Sequence, residues 1–284
     1  MEDLTKHIDP MMKPFRDIEK ITKPMTDFQK SLEKPLKDFQ KSIKNINKLI
    51  VSIPNFENPL LKQRDIFGQI GLRLKEYAEK TPAYLLLIAQ NGWFIELDSE
   101  LSLPSQIAYE IKKDSTENAN KLLMEYYSLN LERIIENLVM RHPNRKEILN
   151  QILKSYKNGN HSVLIPCVLT QVDGICFDFT KKKFFIKEKN NKYLSQIASE
   201  LEYSINSFLK LYLSPLQNQT PIMVREEDVS KFPCHLNRHR ILHGTSTDYG
   251  TEINSLKVIS LLKYISDLLT DLDRKTLKIA FNSQ

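Results

Sequence analysis

Three of the six histidines and two arginines fall between His235 and His243, in the stretch Cys234-His235-Leu236-Asn237-Arg238-His239-Arg240-Ile241-Leu242-His243-Gly244. Arginine is a permanent cation whose planar fork matches a phosphate. Histidine exchanges a proton near neutral pH. Arg238 and His243 stand five positions apart, so about one turn of chain brings them together. Such a pair is the minimal kit for cleaving RNA without a metal. The imidazole moves protons at the ribose hydroxyl or the leaving oxygen, and the guanidinium stabilises charge on the phosphorane. Two other readings fit the same residues. His235, His239 and His243 recur at steps of four and could hold zinc, nickel or iron on one helical face. No H-E-x-x-H accompanies them, and the nearest acidic run is Glu226-Glu227-Asp228. Alternatively the cluster is structural, a hydrogen-bond network at a helix end or a charged surface at an interface.

The rest of the chain must supply the scaffold, and glycine usage limits what that scaffold is. Glycine fills 7 of 284 positions, well under the ~7% of average proteins. Phosphate-cradling loops, dinucleotide turns and turn-dense β-sandwiches need more, and no G-x-G-x-x-G or G-x-x-x-x-G-K-[ST] is present. With 41% apolar residues the chain can bury a core, which excludes disorder throughout. The expected fold is all-α, an up-and-down helical bundle preceded by a Pro-interrupted amphipathic arm. The net charge of +6 and pI near 9.0 suit an acidic or nucleic-acid partner, and equally a Lys-rich solvated surface. Cys167, Cys176 and Cys234 form no C-x-x-C pair, so reduced thiols are expected. The longest clean apolar stretch, Tyr84 to Ala89, is too short to span a bilayer, and MEDLTKHIDP is not a signal peptide. A cytoplasmic protein with no membrane contact follows as the expectation.

Three regions are expected: an arm and linker over 1–58, a helical middle over 59–116, and a bundle over 117–284. Residues 13–44 repeat as KPFRDIEKIT, KPMTDFQKSLE and KPLKDFQKSIK. Their apolar positions follow helical periodicity, yet each unit opens with Lys-Pro, so the arm is one kinked helix or several short ones. It would dock on a partner protein, on its own subunit, or on the body. After the linker SIPNFENP, a helix is expected over 60–80, a second restarting at Thr81-Pro82, and a stop at Asn91-Gly92 before Trp93. Further helices are expected over 117–140, 144–157, 161–179, 194–212 and from an N-cap at Thr251. The segment 161–179 is apolar on several faces and should be central. Residues 180–192 form a basic hairpin or loop. Asp173, inside an apolar helix, needs a partner, as a support to Arg238 and His243 or as a structural hydrogen bond. Arg141-His142 reads as a C-terminal dipole partner.

Arg238-His239-Arg240-Ile241-Leu242-His243 resembles the Arg-x(4–6)-His motif of HEPN (higher eukaryotes and prokaryotes nucleotide-binding) domains, in which His239 fits the position after the arginine. Asn237, Leu242-His243-Gly244, Tyr249-Gly250-Thr251 and Asn254-Ser255-Leu256-Lys257 resemble a bacterial HEPN-like subgroup. So do Ile165-Pro166 and Gln171-Val172-Asp173-Gly174, and the similarity covers about 117–271. The resemblance implies an all-α bundle and a metal-independent endoribonuclease needing no cofactor, often in toxin or phage-defence systems. It implies an RNA substrate and a homodimer with motifs facing across a cleft. By the same resemblance Arg238 binds the scissile phosphate, His243 is the general acid/base and His239 assists, with Asn237 and Asp173 in support. Many such domains have lost activity, so a catalytically inactive interaction or scaffold protein is the alternative it implies.

Overall fold

The computed structural model describes residues 59–113, 115–188, 191–195, 197, 201 and 209–270. The repeat-bearing arm and its linker lie outside the described residues. The chain divides into two compact units, Met1–Lys80 and Thr81–Gln284. Of the first, the described part is helical and carries an i,i+4 ion pair, Lys80 Nζ to Glu76 Oε1 at 2.6 Å.

The described residues form an all-α helical bundle with one short hairpin. In chain order the helices are α1 (Pro59–Gln90), α2 (Leu103–Lys112), α3 (Thr116–Leu129), α4 (Leu131–Arg141), α5 (Lys146–Lys157) and α6 (His161–Thr180). The hairpin β1 (Lys187–Glu188) and β2 (Asn191–Ser195) follows, then α7 (Arg238–Leu242) and α8 (Glu252–Thr270). The second compact unit starts at Thr81 and takes in α2, so packing shows no break near 116.

Several expected boundaries move. The helix expected to restart at Pro82 instead runs through it. Pro82 cannot donate to the Ala78 carbonyl, and burial of Leu85, Ile88 and Ala89 just beyond it offsets that loss. The stop after Gln90 is as expected: Gly92 takes φ +88°, and Trp93 seats the turn, stacked on Tyr127 and donating Nε1–H to Asn120 Oδ1 at 2.9 Å. The helix expected over 117–140 is two helices broken at Asn130. The Asn130 side chain donates to the Tyr126 carbonyl at 2.8 Å and accepts from Arg133 Nε at 3.1 Å. Such local bonds compete with the helical ladder. The helix expected over 194–212 does not start where predicted, because Leu194 belongs to β2, and Leu209–Leu213 is a 3₁₀ turn. The basic connection takes its hairpin form.

The centre belongs to α8 rather than to α6 alone. Every residue from Ser255 to Leu269 is buried, including Lys257, Lys263 and Asp267. Helix α6 packs along it, yet leaves Val163 and Phe177 exposed. By length and composition α6 would also suit a bilayer, and half of that stretch is buried in the bundle. Pro166 leaves the Ser162 carbonyl without its helical donor, and the Tyr249 hydroxyl supplies one at 3.0 Å. Thr251 caps α8 as expected, accepting from the Asn254 N–H at 3.3 Å.

Candidate functional site

The candidate residues are set by a short helix held from below. Asn237 is its N-cap: Oδ1 accepts from the Arg240 N–H at 3.2 Å, while Nδ2 donates to the Pro221 and Val224 carbonyls at 2.7 and 3.0 Å. Only 1% of Asn237 is exposed, so it anchors the helix and does not face a substrate. Among the described residues its three side-chain bonds all go to backbone groups.

From that anchor, α7 brings Arg238, His239 and His243 into one row. The Arg238 Nη1 lies 3.4 and 3.3 Å from the two nitrogens of the His239 ring, nearly equidistant, which places the guanidinium across the imidazole face. The His239 and His243 rings stack, with centroids 6.0 Å apart and planes 17° from parallel. On its other side Arg238 lies over the Phe185 ring, 5.1 Å from the centroid. Asp173 holds that platform, accepting the Phe185 N–H at 2.9 Å. Asp173 therefore has a structural bond and also lends its field to Arg238. Burial lowers the proton affinity of Arg238, and the charge of Asp173 opposes that. Among the described residues no carboxylate reaches salt-bridge distance of Arg238, and its buried Nε has no hydrogen-bond partner. The row thus contains a half-buried cation and an exposed imidazole, His243, one stacked ring away.

No family model, curated protein or solved structure matches the chain.

The three-histidine arrangement is not assembled. His235 lies in the non-helical segment before α7, so only His239 and His243 share the helix end. The only cluster with metal-ligand geometry among the described residues is elsewhere: Glu96, Asp98 and Asp267, with ligand oxygens within 4.8 Å of one another. Lys263 already occupies it. Its Nζ reaches Asp267 Oδ1 at 2.5 Å, Asp98 Oδ2 at 2.6 Å and Glu96 Oε2 at 3.2 Å. Arg141 pairs with Asp267 and Arg133 with Glu96, each at 2.5 Å, and the Leu97 N–H donates to Asp267 Oδ2 at 3.0 Å. Burial pushes the Asp267 carboxyl up to about 6, against the pull of Lys263. Burial also works against the Lys263 ammonium, but the facing carboxylates outweigh it and its pKa rises. A lysine where a cation would sit, with its charges matched by neighbours, makes this lattice a structural one.

Arg141 and His142 therefore do more than complement a helix dipole. Arg141 joins the lattice, and the His142 Nε2 meets Ser266 Oγ at 2.7 Å. Burial first, then Arg145 and Arg141, lower the His142 pKa to about 4, so the ring is neutral at physiological pH. Sequence reasoning missed the lattice and missed Lys257. The available signal was Lys257 and Lys263 inside an otherwise apolar helical run, where a lysine needs a partner or a purpose.

Proposed function

We propose that the protein is a metal-independent endoribonuclease of the HEPN type, a toxin or phage-defence effector acting as a homodimer in the cytoplasm. The observation that carries the reading is the Arg238–His239–His243 row, in which a guanidinium without a carboxylate partner adjoins two stacked imidazoles. A phosphodiester supplies the anion that Arg238 lacks. In the proposed reaction the ribose 2′-oxygen attacks phosphorus and passes its proton to the His243 imidazole. Arg238 neutralises the phosphorane oxygens, the P–O5′ bond breaks, the leaving oxygen takes a proton from water, and the His243 imidazolium returns its proton to the solvent. The products are a 2′,3′-cyclic phosphate and a 5′-hydroxyl. His239 holds Arg238 across its face and so fixes where the charge sits.

The test is cleavage of total RNA by the purified full chain with EDTA present. Arg238→Ala and His243→Ala should each lower the rate about 10²–10⁴-fold, the range expected for a lost acid/base or charge-stabilising group. His239→Ala should have a smaller effect. Cleavage unchanged in both single variants would end the catalytic reading. A HEPN-like scaffold that recruits partners through the N-terminal arm would then replace it.

A further inference from the structure

A cleft of about 230 Å³ opens beside α7, and neither Arg238 nor His243 lines it. Its walls come from the segment before α7, the loop before α8 and the first turns of α8. They include His235, Arg240, Asp248, Tyr249, Asn254 and Lys257. Lys257 is the unusual member. Only 6% of it is exposed, yet among the described residues its ammonium meets no carboxylate. Its contacts are the Cys234 thiol at 3.4 Å and the face of Trp93, with the centroid at 5.7 Å. A thiol is a weak acceptor, and an aromatic face holds a cation only weakly. Neither replaces the hydration that an ammonium loses on burial.

Lys263, two turns along the same helix, shows the alternative, with three carboxylates around it. Lys257 has the burial without the partners. The backbone is shaped to hold it there. Gly92 sits against this floor, and a Cβ on it would lie 2.5 Å from Cys234 Sγ and 3.1 Å from Lys257 Cδ. The remaining polar groups reinforce the sign of the field. Arg240 has a buried Nε without a hydrogen bond, held only by a long ion pair to Glu226 Oε1 at 3.6 Å. The one carboxylate in the wall, Asp248, is held below its usual range, first by a hydrogen bond from Ser246 and further by the charges of Arg240 and His235.

We propose that this cleft is a binding site for a small phosphomonoester, with Lys257 and Arg240 as its anion-binding residues and Asn254 and His235 as polar neighbours. The cleft, about 230 Å³, is below the ~300–1,000 Å³ of drug-sized pockets, so it suits a ligand the size of a sugar phosphate, or the phosphate end of a mononucleotide, and not a folded partner. The site is separate from the Arg238–His243 row, so the proposal stands or falls without any ribonuclease activity.

The experiment is calorimetric titration and thermal shift of the full chain with inorganic phosphate, ribose 5-phosphate, AMP and adenosine. AMP or ribose 5-phosphate should bind and raise the melting temperature, inorganic phosphate should bind more weakly, and adenosine should not bind. Lys257→Met should weaken phosphate-ester binding by tenfold or more while the unligated protein keeps or gains melting temperature, because an unpaired buried charge has been removed. Arg240→Gln should weaken binding several-fold and serves if the first variant does not fold. Asp248→Asn, which removes the wall's negative charge, should tighten it. No binding of any phosphate probe at about 10 mM, a level where even weak sites fill, would overturn the proposal. So would binding that is unchanged in Lys257→Met or Arg240→Gln, or adenosine binding as well as AMP.

Discussion

Two sets of buried or half-buried charges lie within this bundle, and they are built in opposite ways. Around Lys263, three carboxylates face three cations, and each carboxylate has an ion-pair partner, with Glu96 and Asp267 fully buried and Asp98 and Arg133 reaching the surface. Around α7, Arg238 has no carboxylate partner among the described residues and a buried Nε without a hydrogen bond, Arg240 has only a long pair with Glu226 at 3.6 Å, and Lys257 nearby has no carboxylate. The first arrangement stabilises the fold only as a unit, because removing one charge strands the others. The second leaves electrostatic capacity unspent. Charges that are matched hold the fold, and charges that are unmatched are available to a ligand.

The largest effect should come from breaking the lattice. Lys263→Ala leaves two fully buried carboxylates, Glu96 and Asp267, with one arginine each and no shared cation between them, and should cost about 3–5 kcal/mol in urea unfolding. A cost under about 1 kcal/mol would mean the lattice is hydrated and the contrast is false. Next, Asn237→Ala removes the cap of α7 and strands two buried carbonyls, for about 2–3 kcal/mol. Asn237→Asp should recover only the cap, since a carboxylate cannot donate to Pro221 and Val224. Third, His142 makes part of the matched region pH-sensitive. Its folded pKa, about 4, lies below the unfolded 6.5. The unfolded chain therefore binds the proton first, and the stability due to the neutral ring is complete above pH 6.5 and lost as pH falls toward 4. The margin of wild type over His142→Asn should shrink by about 1–2 kcal/mol between pH 7 and 5. Asp267, with its carboxyl raised to about 6, works in the opposite direction, which is why the difference between variants is the quantity to measure. Smallest of all, Arg238→Ala and His243→Ala should each change stability by no more than about 1 kcal/mol. A loss of several kcal/mol in Arg238→Ala would place that arginine with Lys263 and erase the distinction.

Some of this was legible in the residues and some was not. The stop at Asn91-Gly92-Trp93 and the Thr251 cap depend on local chemistry, a positive φ and a hydroxyl beside a free N–H, so neighbouring residues announce them. The break at Asn130 was hidden because its side chain competes with a helix that the apolar pattern supports on both sides. The start of the segment at 194 was misread because Leu194 continues a helical pattern while sitting in a strand. In the candidate site, the two contacts that occur, Arg238 with His239 and His239 with His243, join residues one and four positions apart. The roles of Asn237 and Asp173 as anchors were not legible, because their partners lie 16, 13 and 12 residues away.

The sequence by itself determined that the protein is helical and where its arginine–histidine run lies. Both are short-range properties: scarce glycine, three-and-four apolar spacing, and a motif within one turn of chain. The tertiary structure alone decided which charges have partners. Lys257 and Lys263 are the same residue type six positions apart on one buried helix. What separates them is that Glu96 and Asp98, from a distant part of the chain, arrive at one and not at the other. Coulombic pairing depends on distance in space, and beyond i,i+4 pairs such as Lys263 with Asp267 the order of residues along the chain does not contain it.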